Sequence, residues 1–223
     1  MKIFNSLNEL IFPPRCISCR ELGQSLCISC RKSWVCHPYR SNVRHGKEFS
    51  LSVTSSIVYS PIAQKVLLAA KESDIKMADI FVSDAITYAI RNAFKEMPRD
   101  ILIDSLIPIP SRKSAARKRG RQFISDMTAP AAAEFGIPII SPISHSRVVR
   151  DQTGLHFEQR WNNLHGAFVV ASNVENPHYA LLVDDLVTTG ATLLEAARAL
   201  SYAGITVVGA VTAVVAQPVR LRD

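Results

Sequence analysis

Between Ala180 and Thr192 the chain sets two carboxylates, three threonines and a glycine into one short stretch: Asp184, Asp185, Thr188, Thr189, Gly190 and Thr192, with Ala191 between the last two. The apolar run Tyr179 to Val183 reads as a buried strand, and Leu193, Leu194, Ala197 and Leu200 share one face of a helix that follows. The first N–H groups of such a helix are unpaired and its dipole is positive there, so a phosphate is stabilised. Gly190 lets the backbone approach the phosphate, and the threonines add hydroxyl donors. Asp184 and Asp185, at the carboxyl end of the strand, can accept hydrogen bonds from the two hydroxyls of a ribose, and strand ends of this kind are where parallel sheets bind ligands. A capped helix with acidic residues near its N-terminus is the simpler alternative, and the two aspartates alone would suit it. The stretch matches neither Gly-x-x-x-x-Gly-Lys-Ser/Thr nor Gly-x-Gly-x-x-Gly, which disfavours the two commonest nucleotide-binding loops.

The second constellation is Cys16-Ile17-Ser18-Cys19 followed by Cys27-Ile28-Ser29-Cys30. Two Cys-x-x-Cys knuckles can close a tetrahedral zinc site on Cys16, Cys19, Cys27 and Cys30, which contributes folding energy to a segment too small for its own core. Redox thiols and plain buried cysteines are the alternatives. Met1 to Glu9 shows no cleavable leader, so a cytoplasmic location is expected, and there zinc is favoured over disulfides. Cys36, beside His37, is left over, and packing suits it. The longest apolar run, Ile205 to Ala216, falls short of the roughly 20 residues of a membrane helix, so no membrane insertion is expected.

The formal charge is +7, and Arg112, Lys113, Arg117, Lys118, Arg119 and Arg121 supply much of it from one cluster. Clustered cations suit a polyphosphate or a nucleic acid, because they focus potential and release counterions on meeting phosphates. A solvated basic loop is the other reading.

The elements that must position these groups form two regions. Residues 1–48 hold every cysteine, with Pro13 and Pro14 at one end and Pro38 near the other, and read as a zinc-binding module. Residues 49–223 alternate strand and helix, the pattern of an α/β domain with a mostly parallel sheet. Leu51–Tyr59 and Ile101–Ile109 read as strands. Helices are expected from Pro61, over Ala78–Phe94 and over Phe123–Phe135, the last ended by Gly136 and Pro138. Asn173 to Pro177 reads as a loop, and Gly204 is placed to cap the last helix.

Leu181 to Thr192 resembles the ribose-5-phosphate motif of type I phosphoribosyltransferases. The resemblance implies that Asp184 and Asp185 hold the ribose hydroxyls of phosphoribosyl pyrophosphate and that Thr188, Thr189, Gly190, Ala191 and Thr192 wrap its 5-phosphate. It also implies a second loop, after an earlier strand, that cradles the pyrophosphate with Mg²⁺. By position this is Pro108 to Arg112, with Ser111 and Arg112 at its end. Over nearly the whole chain the order of features is similar to the ComF family, which joins a Leu-Phe-Pro-x-x-Cys-x-x-Cys lead to such a domain. Here Ile11-Phe12-Pro13-Pro14-Arg15-Cys16 begins the lead, Lys71 is the family's lysine, and Gln152, Leu155, Arg160 and Asn163 precede Gly166-Ala167-Phe168 at the family's spacing. The chain departs from that pattern at Arg121-Gln122-Phe123, where the family reads Phe-Asn-Gln. It departs again at His145 for an arginine, at Val149 for a threonine, and at Lys71-Glu72-Ser73-Asp74, which lacks a glycine. These departures fall where the pyrophosphate and any acceptor should lie.

The ComF resemblance implies a role in DNA uptake during natural transformation, at the cytoplasmic side of an import machine, with single-stranded DNA and a competence helicase as partners. The alternative is a nucleobase-salvage transferase. In that reaction the bond at ribose C1 breaks toward an oxocarbenium-like state, pyrophosphate leaves with Mg²⁺, and a base nitrogen attacks. Such an enzyme needs a hood that recognises one base, and the sequence identifies none. A third reading is a nucleic-acid-binding adaptor that has lost the reaction, against which stands the retention of the whole phosphate loop.

Overall fold

The computed structural model describes residues 13–45, 49–73, 75–146, 166–171 and 179–216. Ile11, Phe12, Asp74, Val149, Gln152, Leu155, Arg160, Asn163 and the loop Asn173 to Pro177 lie outside them.

A central sheet of five strands runs in the order β1-β2-β7-β6-β3, with β1 Tyr39–His45, β2 Phe49–Val58, β3 Ser105–Pro108, β6 Tyr179–Val187 and β7 Thr206–Val215. Only the β1–β2 hairpin is antiparallel; β2–β7, β7–β6 and β6–β3 are parallel pairs. Alternate residues of β6 serve opposite faces, as the pleat requires. Leu181 and Val183 join one core cluster, Ala180 and Leu182 the other. Helices α2 Pro61–Glu72, α3 Lys76–Glu96 and α5 Phe123–Phe135 bury residues in the first cluster, and α6 Ala191–Tyr202 does so in the second. The chain is therefore an α/β fold with a mostly parallel sheet flanked by helices.

Local chemistry sets the helix limits. The Ser60 hydroxyl accepts the Ala63 N–H at 3.1 Å and Pro61 occupies the first turn, which together start α2. Gly136, at φ +65°, closes α5 where its sequence placed the end. The remaining elements are short: α1 Ile28–Arg31, α4 Lys113–Arg119 and the ribbon β4 Ile143–His145 with β5 Phe168–Val170.

The cysteine segment shares a core with the helices beside it. Cys16, Leu26, Cys30 and Trp34 belong to the same buried cluster as Val66, Leu67, Ala70 and Phe81 of α2 and α3. The Trp34 and Phe81 rings lie 6.4 Å apart, and Lys65 Nζ donates to the Ser18 carbonyl at 2.7 Å.

Candidate functional site

The strand that carries the acidic pair is longer than its apolar run. β6 continues to Val187 because β7 runs beside it to Val215, so Asp184 and Asp185 lie within the strand, with Asp184 opposite Thr212. Their two carboxyl groups lie close enough to interact. Asp185 is 8% exposed and ion-pairs through Oδ2 with Lys71 Nζ, from the last turn of α2. Asp184 Oδ1 accepts the Asp185 N–H at 2.8 Å. Burial first, then the Asp185 carboxylate, pushes the Asp184 carboxyl well above its ordinary range, and the Lys71 charge offsets only part of this.

The raised proton affinity of Asp184 has a consequence for stability. An acid with a higher pKa folded than unfolded binds more protons in the folded state, so stability is full below the unfolded value and is lost as pH rises through the folded one. Asp184→Asn removes that loss while keeping an acceptor for the Asp185 N–H. Near neutral pH the variant is expected to be more stable by on the order of 1 kcal/mol, or about 2–4 °C in melting temperature. The gain should shrink toward pH 4, near the ordinary range of an aspartate. A melting temperature unchanged near neutral pH would show that Asp184 ionises at no cost.

After Val187 the chain turns through Thr188, Thr189 and Gly190 into α6. Thr189 Oγ1 accepts the Ala191 N–H at 3.4 Å, and Gly190 takes the left-handed conformation at φ +76°. A Cβ at Gly190 would meet Val43 Cγ1 of β1 at 2.3 Å. The glycine is thus required by the backbone and by the close approach of β1. Thr192 follows in the first turn of α6.

The loop expected to complete the site leaves β3, the strand next to β6. Ile109 N–H donates to Val183 O at 2.8 Å, which holds the start of Pro108 to Arg112 beside the acidic pair. Ser111 and Arg112 then lead into α4. The β3 and β6 loops therefore leave the same end of the sheet from neighbouring strands.

Three of the six cations of the basic segment, Lys118, Arg119 and Arg121, pair with acids. Lys118 and Arg119 reach the Glu72 carboxylate at 2.9 and 3.1 Å and hold its pKa down by those hydrogen bonds. Arg121 forks onto Asp79 at 2.5 and 2.9 Å and donates to the Ala70 carbonyl at 2.5 Å. Phe123, 1% exposed, has two cations near its ring, Lys71 Nζ at 5.7 Å and Arg121 Cζ at 5.4 Å from the centroid. The departure Arg121-Gln122-Phe123 thus braces the end of α2 that carries Lys71. Lys113 and Arg117 are exposed.

At the other end of α2 the sulfur atoms of Cys16, Cys19, Cys27 and Cys30 all lie within 4.8 Å of one another. Tetrahedral zinc with bonds of about 2.3 Å needs sulfur atoms spaced by about 3.8 Å, so the cluster suits one ion. Burial resists the Cys16 thiolate, but the amides of Cys19, Cys27 and Ser18 outweigh it and bring that thiol down to about 6. The Cys30 amide favours the Cys27 thiolate, yet Glu21, burial and the neighbouring thiols push Cys27 up to about 12. Four crowded sulfurs ionise together only with a cation among them. Cys36 packs against the core, and burial with the Asp84 charge raises its thiol.

No protein-family model matches the chain, and no curated protein matches it in sequence. Solved structures do match in shape. An adenine phosphoribosyltransferase aligns over 83% of this chain and 88% of its own, at 10% identity and a TM-score of 0.43. The enzyme of that name from Leishmania tarentolae aligns over 66% of this chain and 62% of its own, less than two thirds, at 14% identity and a TM-score of 0.38. That from Trypanosoma brucei, in complex with AMP, pyrophosphate and ribose-5-phosphate, aligns over 83% and 79%, at 14% identity and a TM-score of 0.38. Likeness at this level does not assign a function. No helix among the described residues is long and apolar enough to cross a membrane.

Proposed function

We propose that the chain binds phosphoribosyl pyrophosphate at the end of the sheet where the β3 and β6 loops meet. The observation that carries this reading is the acidic pair of β6, with Asp185 held by Lys71, running directly into the left-handed Gly190 and the N-terminus of α6. Asp184 and Asp185 take the ribose hydroxyls, residues 188–192 the 5-phosphate, and Ser111 and Arg112 the pyrophosphate. Mg²⁺ enters with the pyrophosphate; it is a hard cation that takes oxygen ligands, and Asp184 is a carboxylate whose proton affinity a nearby cation would relieve.

Calorimetry with phosphoribosyl pyrophosphate and Mg²⁺ tests the site. Asp185→Ala is expected to weaken binding by about 1.5–3 kcal/mol, roughly ten- to a hundredfold, through lost charge-assisted hydrogen bonds. Asp185→Asn, which keeps the shape and an oxygen acceptor for Lys71 but removes the charge, separates loss of charge from loss of the side chain. Unchanged affinity in both variants rejects the assignment. A screen of nucleobases for pyrophosphate release then separates a ligand-binding protein from a salvage transferase.

The same reading extends to a ComF-type protein of DNA uptake, with residues 1–48 as its zinc module, a cytoplasmic setting, and single-stranded DNA and a helicase as partners. Its support is the order of the cysteine tetrad, basic segment and phosphate loop along the chain. Because Lys118, Arg119 and Arg121 already face acids, Lys113 and Arg117 are the cations to test. Replacing both with alanine should reduce the slope of log affinity against log salt by about 0.7 per lost contact on single strands, with weak dependence on sequence. An unchanged slope would end the nucleic-acid reading for this segment.

A further inference from the structure

The ammonium of Lys71 ends a flexible four-carbon chain on the last turn of α2, yet it meets the buried Asp185. A lysine held in this way gives up rotamer freedom, so the helix end that carries it must itself be fixed. Arg121 is the group placed to fix it. Its Nη1 and Nη2 donate to the two Asp79 carboxylate oxygens at 2.5 and 2.9 Å, and Nη2 also donates to the Ala70 carbonyl at 2.5 Å. Ala70 directly precedes Lys71, and its carbonyl is among the last four of α2, which have no N–H partner within the helix. Asp79 stands in the first turn of α3, so one guanidinium ties the end of α2 to the start of the next helix.

The chemistry of the contact is particular to arginine. A planar fork serves both oxygens of a carboxylate and still aims a proton at a carbonyl, which a point-charge ammonium cannot do. Phe123 adds a third tie, since its buried ring borders both the Lys71 ammonium and the Arg121 guanidinium. The neighbouring pair of Lys118 and Arg119 with Glu72 is a weaker brace, because the Glu72 side chain is 40% exposed against 26% for Asp79, and exposed ion pairs fix little. With its fork on Asp79 and Ala70, Arg121 acts on the site through Lys71 rather than on a ligand. Residue 121 is also one of the positions where the chain departs from the ComF pattern, so the resemblance supplies no role for it.

We propose that Arg121 is a positioning residue of the ribose-phosphate site: by fixing the Ala70–Lys71 end of α2 against α3 it sets the Lys71 ammonium on Asp185, and so orients that carboxylate for the ribose hydroxyls. The role in binding rests on the phosphoribosyl pyrophosphate reading. The placement of Lys71 does not, and it is measured without ligand.

The full-length, zinc-loaded protein is labelled with ¹⁵N-lysine, and the Lys71 Nζ resonance is assigned by its loss in Lys71→Met. In Arg121→Gln that resonance should shift and its protons exchange faster. Calorimetry with phosphoribosyl pyrophosphate and Mg²⁺ should then find Arg121→Gln binding about tenfold more weakly than the wild type. Asp79→Asn, which cuts the same anchor from α3, should act in the same direction, and it carries the whole test if Arg121→Gln does not fold. In the Lys71→Met background either substitution should bring no further loss of affinity, because its effect passes through the lysine, whereas any cost in melting temperature should persist. An unmoved Lys71 resonance, wild-type affinity in the anchor variants, or losses that add to that of Lys71→Met would each overturn the role of Arg121 and leave the ligand reading standing. No binding by the wild-type protein would overturn the ligand reading, and with it this role in binding.

Discussion

Protein stripped of its metal by a chelator is expected to melt roughly 10 °C lower than the loaded protein. Structural zinc contributes an apparent ~10–16 kcal/mol in small finger peptides. Even a third of that, on the order of 4 kcal/mol, moves a domain of this size by about 8–16 °C. The effect should not stop at the knuckles, because Cys16, Leu26, Cys30 and Trp34 are packed with Val66, Leu67, Ala70 and Phe81 in one cluster. Loss of the ion releases the Cys27 and Cys30 thiols to protonate and loosens α2, the helix whose far end presents Lys71 to Asp185. Trp34 reports on this directly once Trp161 is replaced by phenylalanine, and its emission should shift toward that of exposed indole on chelation. Affinity for phosphoribosyl pyrophosphate should fall with it. If chelated protein, shown by metal analysis to be free of zinc, melts and binds as before, the cysteine cluster holds no structural ion.

The parts of this arrangement that were legible in sequence are those set by local chemistry. The helix at Phe123–Phe135 follows from apolar period and Gly136, and the tetrad of sulfurs from two Cys-x-x-Cys spacings. What stayed hidden depends on partners far along the chain. The strand β1 alternates in the fold, but with only Tyr39 and Val43 as large hydrophobic residues in Tyr39–His45 its sequence signal is weak, and it forms because β2 pairs with it from Tyr39↔Ser55 to His45↔Phe49. β3 is shorter than the apolar stretch Ile101–Ile109 because only Ser105 to Pro108 finds partners on β6.

The site shows the same division. The phosphate loop reads from its own residues, whereas Lys71 enters through resemblance alone and is brought to Asp185 by α2. The basic cluster reads as a stripe of exposed charge. In the fold Glu72 and Asp79 take three of its cations, and no property of the cluster itself reveals that these acids face it. His145 carried one signal in sequence, its departure from the arginine of the resembling family. Its place against the Phe168 ring depends on the β4–β5 ribbon, which the sequence did not show.

Gly190→Ala is the point substitution with the largest expected cost, and it separates two reasons for the glycine. In sequence Gly190 is explained by the approach of a phosphate to the backbone. In the fold it is also demanded by Val43, whose Cγ1 and Cβ would lie 2.3 and 2.5 Å from the new methyl. An L-residue in the left-handed conformation costs about 1–2 kcal/mol, and overpacking a filled core adds about 1–3. Val43 cannot easily yield, since it is 8% exposed and paired with Leu51 across the hairpin. The variant should therefore lose about 2–5 kcal/mol, or roughly 5–20 °C in melting temperature. Val43→Ala would bring no relief, because the Val43 Cβ itself is one of the clashing atoms. Val43→Gly removes it, so in that background Gly190→Ala should cost only the backbone share, and the double-mutant cycle should show a coupling of about 1–3 kcal/mol. Additive costs would mean that β1 does not press on the loop. A variant that keeps its stability but no longer binds phosphoribosyl pyrophosphate would assign the glycine to the phosphate instead.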